Sequence, residues 1–254
     1  LPLKIFLYEN EFNTTETKSR GEVKDFGVKQ IRADDMWAQG YDGTGIIVAN
    51  MDTGVNYYHK DLQNKWLGNS RPDSECWFDP WEGTSIPEDG GSQTWQHGTH
   101  TIGTIVGEDV SGGVKYGVAP GAKWIAARMF NNDGGASEEN TIKCFQFMAD
   151  PDGDPATSDD VPHVLNNSWG ATTAYGGGVC NSGYYSYMDN CEAAGCVLLF
   201  SAGNSGENGS KTIGSPASRI TTNLNAFAVG ATDSSRNIGS FSSRGPSTCG
   251  DGTT

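Results

Sequence analysis

Two short fragments of this chain pair an acid with a base. Asp52 closes the apolar run Ile46-Ile47-Val48-Ala49-Asn50-Met51 and is followed by Thr53-Gly54. His97 opens Gly98-Thr99-His100 and the small-residue stretch Thr101-Ile102-Gly103-Thr104. A carboxylate at a strand end can hold an imidazole in one tautomer and stabilise its cation. An imidazole at a helix start can project into a cleft and act as general base. Asp first, His second and Ser last is one chain order of the Ser-His-Asp triad. His100 is the rival base; it lies near the same helical face and is assigned a packing role. A third fragment, Phe200-Ser201-Ala202-Gly203-Asn204-Ser205-Gly206, ends a strand in a Gly-rich turn. The side-chain N–H of Asn204 can donate to a developing oxyanion. Taken singly, Asp52 and Asn204 read as turn residues and His97 as a surface histidine after a polar loop.

The elements that must position these groups alternate in type. Strands are expected at 45–49, 124–130, 164–168, 197–201 and 226–230. Helices are expected at 31–37, ending at Gly40, at 97–106, at about 137–149 with Ser137 as cap, and at 184–194. Apolar strands alternating with helices predict an α/β fold, a three-layer α/β/α sandwich around a mostly parallel sheet. In such sheets active sites form at the carboxyl ends of strands, where Asp52 stands. Residues 68–95, rich in Gly, Pro, Asp and Ser, are expected to form a long surface loop, and 150–160 an acidic loop. Residues 1–26 read as an N-terminal arm or the residue of a pro-segment, and 27–254 as the N-terminal portion of a catalytic domain.

With 254 residues the chain can bury one large core. Its 17 basic and 31 acidic residues give a net charge of −14, which repels phosphate backbones and argues against nucleic-acid binding. Acidity also leaves carboxylates to bind calcium. No apolar run reaches the roughly 20 residues of a membrane span. The six cysteines fit no zinc spacing; Cys180, Cys191 and Cys196 are near enough in sequence to share a disulfide, and the connectivity stays open. Asn13, Asn166 and Asn208 fit the glycosylation pattern, as chance in an Asn/Ser/Thr-rich chain also explains.

Asp-Thr-Gly at 52–54, His-Gly-Thr-His at 97–100 and Ser-Ala-Gly-Asn at 201–204 together resemble the subtilisin-like serine proteases, the subtilases. Tyr116-Gly117-Val118-Ala119-Pro120-Gly121-Ala122, Asn166-Asn167-Ser168-Trp169-Gly170 and Ser240-Phe241-Ser242-Ser243-Arg244-Gly245-Pro246 resemble the family's linking segments. The 68–95 loop and Asp150-Pro151-Asp152-Gly153-Asp154-Pro155 look most like the bacillopeptidase F-type branch. The resemblance covers residues 27–248. It implies a secreted serine endopeptidase acting through an acyl-enzyme, with Asp52 and His97 as triad members and Asn204 as oxyanion donor. It implies a polypeptide substrate added as a strand beside Ser168, Trp169 and Gly170, and Gly214 in the wall of the specificity pocket. It aligns Asp61 with a family calcium ligand, so a structural Ca2+ and no organic cofactor are expected. The family's Gly-Thr-Ser segment does not follow His97 before Thr254, so the nucleophile is expected downstream of residue 254 or on a second fragment. Gly83-Thr84-Ser85 mimics it but precedes His97 and lacks the following helix, so Ser85 is not nominated. The competing reading is a catalytically inactive subtilase-fold binding or regulatory protein.

Overall fold

The computed structural model describes residues 6–7, 26–90, 96–109, 111, 113–171, 180, 183–220 and 227–249. Its centre is a parallel sheet of six strands: β2 (Ile47–Asp52), β3 (Trp77–Phe78), β6 (Lys123–Arg128), β7 (Val164–Asn167), β9 (Val197–Ser201) and β10 (Phe227–Val229). They lie in the order β10-β9-β7-β2-β6-β3. Strand β2 sits between β7 and β6, and all six of its residues are buried. A parallel strand covered on both faces reads as a near-continuous apolar run, which is why the segment ending at Asp52 is legible as a strand.

The side-chain period of two puts Asn50 and Asp52 on one face of β2. That face meets α3 (His97–Val106). Helix α3 buries Gly98, Thr99, Ile102 and Val106, a stripe at helical spacing whose small members let it lie close to the sheet. Helices α4 (Glu138–Ala149) and α5 (Tyr185–Ala193) pack on each other and against β6 and β9. The connections β6-α4-β7 and β7-α5-β9 step the same way along the sheet, so right-handed crossovers put both helices on one face. The result is the expected α/β/α sandwich. Ser137 caps α4, its hydroxyl accepting the Asn140 N–H at 3.1 Å, and Glu138 and Glu139 complement the positive end of the helix.

Two local expectations are corrected. The helix expected at 31–37 starts two residues later, as α2 (Ala33–Ala38), and a separate short helix, α1 (Phe26–Gln30), precedes it; between them Arg32 takes a left-handed backbone (φ 62°). A non-glycine residue in that conformation cannot continue an α-helix. The 68–95 segment is not simply a surface loop. It contributes the edge strand β3 and buries Cys76, Trp77 and Asp79. Turn-forming composition signals chain reversals rather than exposure. In the N-terminal arm, β1 (Phe6–Leu7) pairs antiparallel with β8 (Trp169–Gly170). The strand expected at 164–168 is β7, and β8 follows it after Ser168. A two-stranded ribbon, β4 (Glu108–Asp109) with β5 (Val114–Lys115), follows α3.

Candidate active site

Strand β2 delivers Asp52 to its carboxyl end with the side chain fully buried. His97, the first residue of α3, places Nδ1 2.8 Å from Asp52 Oδ1 and 2.9 Å from Oδ2. The two glycines of the motifs explain how the pair meets. A Cβ at Gly98 would lie 2.0 Å from the Gly54 carbonyl oxygen, and one at Gly54 would lie 2.0 Å from that of Glu88. Gly54 also takes φ 109°, which side chains rarely adopt. Helix α3 can dock on the Asp52 turn because Gly98 has no side chain, and the Glu88-Asp89 backbone can lie against the same turn because Gly54 has none.

The first N–H groups of α3 need partners, and its N-cap residue Gln96 supplies no side-chain cap. The turn after Asp52 does. Thr53 Oγ1 accepts the Gly98 N–H at 2.8 Å and donates to Asp89 Oδ1 at 2.6 Å. Asp89 Oδ2 accepts the Thr99 N–H at 2.8 Å and the Thr99 hydroxyl. Asp89 thus ties the Asp52 turn to the His97 helix. It lies within the segment read as a surface loop, and no local signal in the sequence marks it. Arg128, in register with Asp52 on the neighbouring strand, anchors that segment. Its fully buried guanidinium reaches Asp79 and Glu88 at 3.2 Å each and Glu82 at 3.6 Å.

Burial pushes the Asp89 carboxyl up to about 6, against the lowering by hydrogen bonds from Thr53 and Thr99, and the Asp52 charge adds to the rise. The folded state then holds a proton that the unfolded state releases nearer pH 4. Between about pH 4 and 6 this group lowers stability as pH rises, by up to about 1.4 kcal/mol per pH unit crossed. Asp89→Asn is expected to remove that contribution. Urea unfolding of both proteins from pH 4 to 7 should show the variant gaining on wild type up to about pH 6 and holding level above it. A difference independent of pH contradicts the assignment.

A second chain of hydrogen bonds runs from α3 across the sheet. Asn50, fully buried, donates through Nδ2 to Thr101 Oγ1 (3.0 Å) and the Gly98 carbonyl (3.3 Å). Asn50 Oδ1 accepts from Asn166 Nδ2 at 2.8 Å, which also donates to Ser168 Oγ at 3.0 Å. Asn166 is therefore committed within the sheet and is no glycan acceptor. Ser168, Trp169 and Gly170 stand just past the end of β7. The Trp169 side chain is sunk among Phe145, Tyr184 and Phe200, which fixes the backbone that pairs with Phe6 and Leu7. Asn204 follows the end of β9, half-buried. Gly214 is buried, its N–H donating to the Ala202 carbonyl at 3.2 Å, and the next residue, Ser215, bridges to Ala171. Asp52, Ser168 and Asn204 thus come from the carboxyl ends of three successive neighbours, β2, β7 and β9.

Residues 43–253 match the model of the subtilase family. The chain belongs to that family. It is 35% identical to bacillopeptidase F of Bacillus subtilis (strain 168) over 96% of its length, and 36% identical over 84% to the minor extracellular protease Vpr of the same organism. It is 33% identical over 87% to subtilisin DY of Bacillus licheniformis. The chain spans 17% of bacillopeptidase F, 24% of Vpr and 68% of subtilisin DY.

One sequence reading in this subtilase comes out differently. His100 is exposed rather than packed, because α3 turns Gly98, Thr99 and Ile102 inward. Cys180 bonds to Cys249, 69 residues away, and not to its sequence neighbours. Cys76, Cys144, Cys191 and Cys196 are buried free thiols. Burial pushes the Cys76 and Cys191 thiols up to about 12 and raises the other two as well, so none is a ready thiolate nucleophile. The carboxylate of Asp61, the expected calcium ligand, is held by protein groups. Lys60 Nζ holds its Oδ1 at 2.6 Å and the Tyr116 hydroxyl donates to Oδ2 at 2.8 Å, so a cation and a donor already compensate it. Among the described residues no helix is long and apolar enough to cross a membrane.

Proposed function

We propose that this subtilase chain carries the acid-base half of a serine endopeptidase, with the nucleophilic serine supplied from beyond residue 254. The observation that carries the reading is the His97 Nδ1 contact with both oxygens of a fully buried Asp52 at the end of the central strand. Asp52 holds His97 in the tautomer with the proton on Nδ1, so that Nε2 takes the serine proton and later passes it to the leaving amine. The serine oxygen attacks the peptide carbonyl, the tetrahedral intermediate expels the amine to leave an acyl-enzyme, and water then releases the acid. Asn204, from β9, stabilises the oxyanion. Asn204→Ala is expected to lower kcat by about 10²–10³ with little change in KM. Peptide hydrolysis by the full-length protein measures this, and an unchanged kcat removes Asn204 from the assignment.

The polypeptide substrate adds as a strand along Ser168, Trp169 and Gly170, with Gly214 in the wall that receives its side chain. The backbone pairing of Phe6 and Leu7 with Gly170 and Trp169 supports an edge built to take an extended chain. Phe6 and Leu7 then belong to a pro-segment and occupy the edge until displaced. Deleting residues 1–25 from the full-length protein is expected to lower KM for peptides severalfold at constant kcat, and an unchanged KM contradicts this role. Strand β10 supports a further segment on the sheet: Phe227 and Val229 are each about half exposed, 53% and 52%, although parallel strands are ordinarily covered on both faces. An extracellular location fits the printed name of the Vpr relative, a minor extracellular protease.

A further inference from the structure

The loop between α4 and β7 gathers three carboxylates that the chemistry above does not use. One oxygen each of Asp150, Asp152 and Asp160 lies within 4.8 Å of the others. Asp160 is 2% exposed. Its Oδ2 accepts the Asp152 N–H at 3.0 Å, whereas its Oδ1 is buried with no hydrogen-bond partner. A buried carboxylate oxygen with no donor costs free energy unless a cation meets it. We propose that Asp150, Asp152 and Asp160 form a calcium site. The donors are all oxygen, with no histidine or cysteine among them, which selects a hard cation. An irregular loop with several carboxylates suits Ca2+ better than Mg2+, which demands near-ideal octahedral geometry.

The position in the fold points the same way. Asp150 is the C-cap residue of α4, at the negative end of the helix dipole, where a carboxylate is disfavoured and a cation is favoured. Nearby Arg71 makes its ion pairs with Asp159 at 2.5 Å and Glu75 at 3.8 Å, and its charge reaches Asp152 and Asp160 without a direct ion pair to either. The rest of the loop is built by side chains turned on its own backbone: Asp152 Oδ1 accepts the Asp154 N–H at 2.8 Å, and Thr157 Oγ1 donates to Asp152 Oδ2 at 2.8 Å. A calcium ion here ties the end of α4 to the lead into β7, the strand that carries Asn166 and Ser168.

The test is calorimetric titration of Ca2+ into the full-length protein after treatment with chelator, for wild type, Asp160→Asn, Asp152→Asn and Asp61→Asn. Asp160→Asn and Asp152→Asn are expected to lose one equivalent of Ca2+, or to bind it at least about tenfold more weakly. Asp61→Asn is expected to keep that equivalent. Asp152 is exposed, so its variant retains the fold, checked by circular dichroism, if the Asp160 variant does not. Wild-type protein that binds no Ca2+, or Asp152→Asn that binds it with unchanged stoichiometry and affinity, overturns the proposal. So does a loss confined to Asp61→Asn.

Discussion

His97→Ala is expected to lower kcat by about 10⁶, the scale of loss found when the histidine of a Ser-His-Asp triad is removed. Without the imidazole nothing in the site takes the proton from the incoming serine. His97 is the first residue of α3 and lies outside the apolar core, so truncating it leaves the packing of Ile102 and Val106 in place. The fold should survive while hydrolysis does not. Peptide hydrolysis by the full-length variant, with its thermal midpoint measured alongside, separates the two effects. Activity within tenfold of wild type would remove His97 from the chemistry.

Asp52→Asn is expected to cost about 10⁴ in kcat. The amide is nearly isosteric, so the loss is one of tautomer and charge rather than shape. Asp52 Oδ1 also accepts the Thr53 N–H at 2.7 Å, and that oxygen remains available in the asparagine. The amide NH2 then faces His97 Nδ1 and asks it to accept rather than donate, moving the ring proton to Nε2, where it cannot act as base. The deficit should shrink as pH rises and hydroxide replaces the missing base. A deficit below about tenfold at neutral pH would show that Asp52 only shapes the turn.

The buried strands were legible because parallel strands in a covered sheet are largely apolar, as residues 47–49 and 197–200 are. Helices α3 and α4 were legible from the stripe spacing and the Ser137 cap. The pairing of Asp52 with His97 was readable from motif order. The groups that hold the pair were not. Asp89 and Asn50 act through contacts 10 and 51 residues away in sequence, and nothing local distinguishes Asp89 from the other acidic residues of its segment. Arg128 reads as an ordinary strand-end residue, although it is buried and gathers Asp79 and Glu88. The Cys180–Cys249 bond joins segments 69 residues apart, beyond any reading of cysteine spacing. Asp61 aligned as a metal ligand by resemblance, and its contacts with Lys60 and Tyr116 carry no signal in the sequence. The acidic loop read only as polar connection instead contains the buried, half-satisfied Asp160.

The central claim is that Asp52 and His97 serve a serine beyond residue 254. Its most direct test is to treat the full-length protein with a fluorophosphonate probe and map the modified residue by mass spectrometry. The account predicts a single label on a serine downstream of residue 254, absent from His97→Ala. No label on well-folded protein, or a label on Ser85 in the segment before His97, would contradict it.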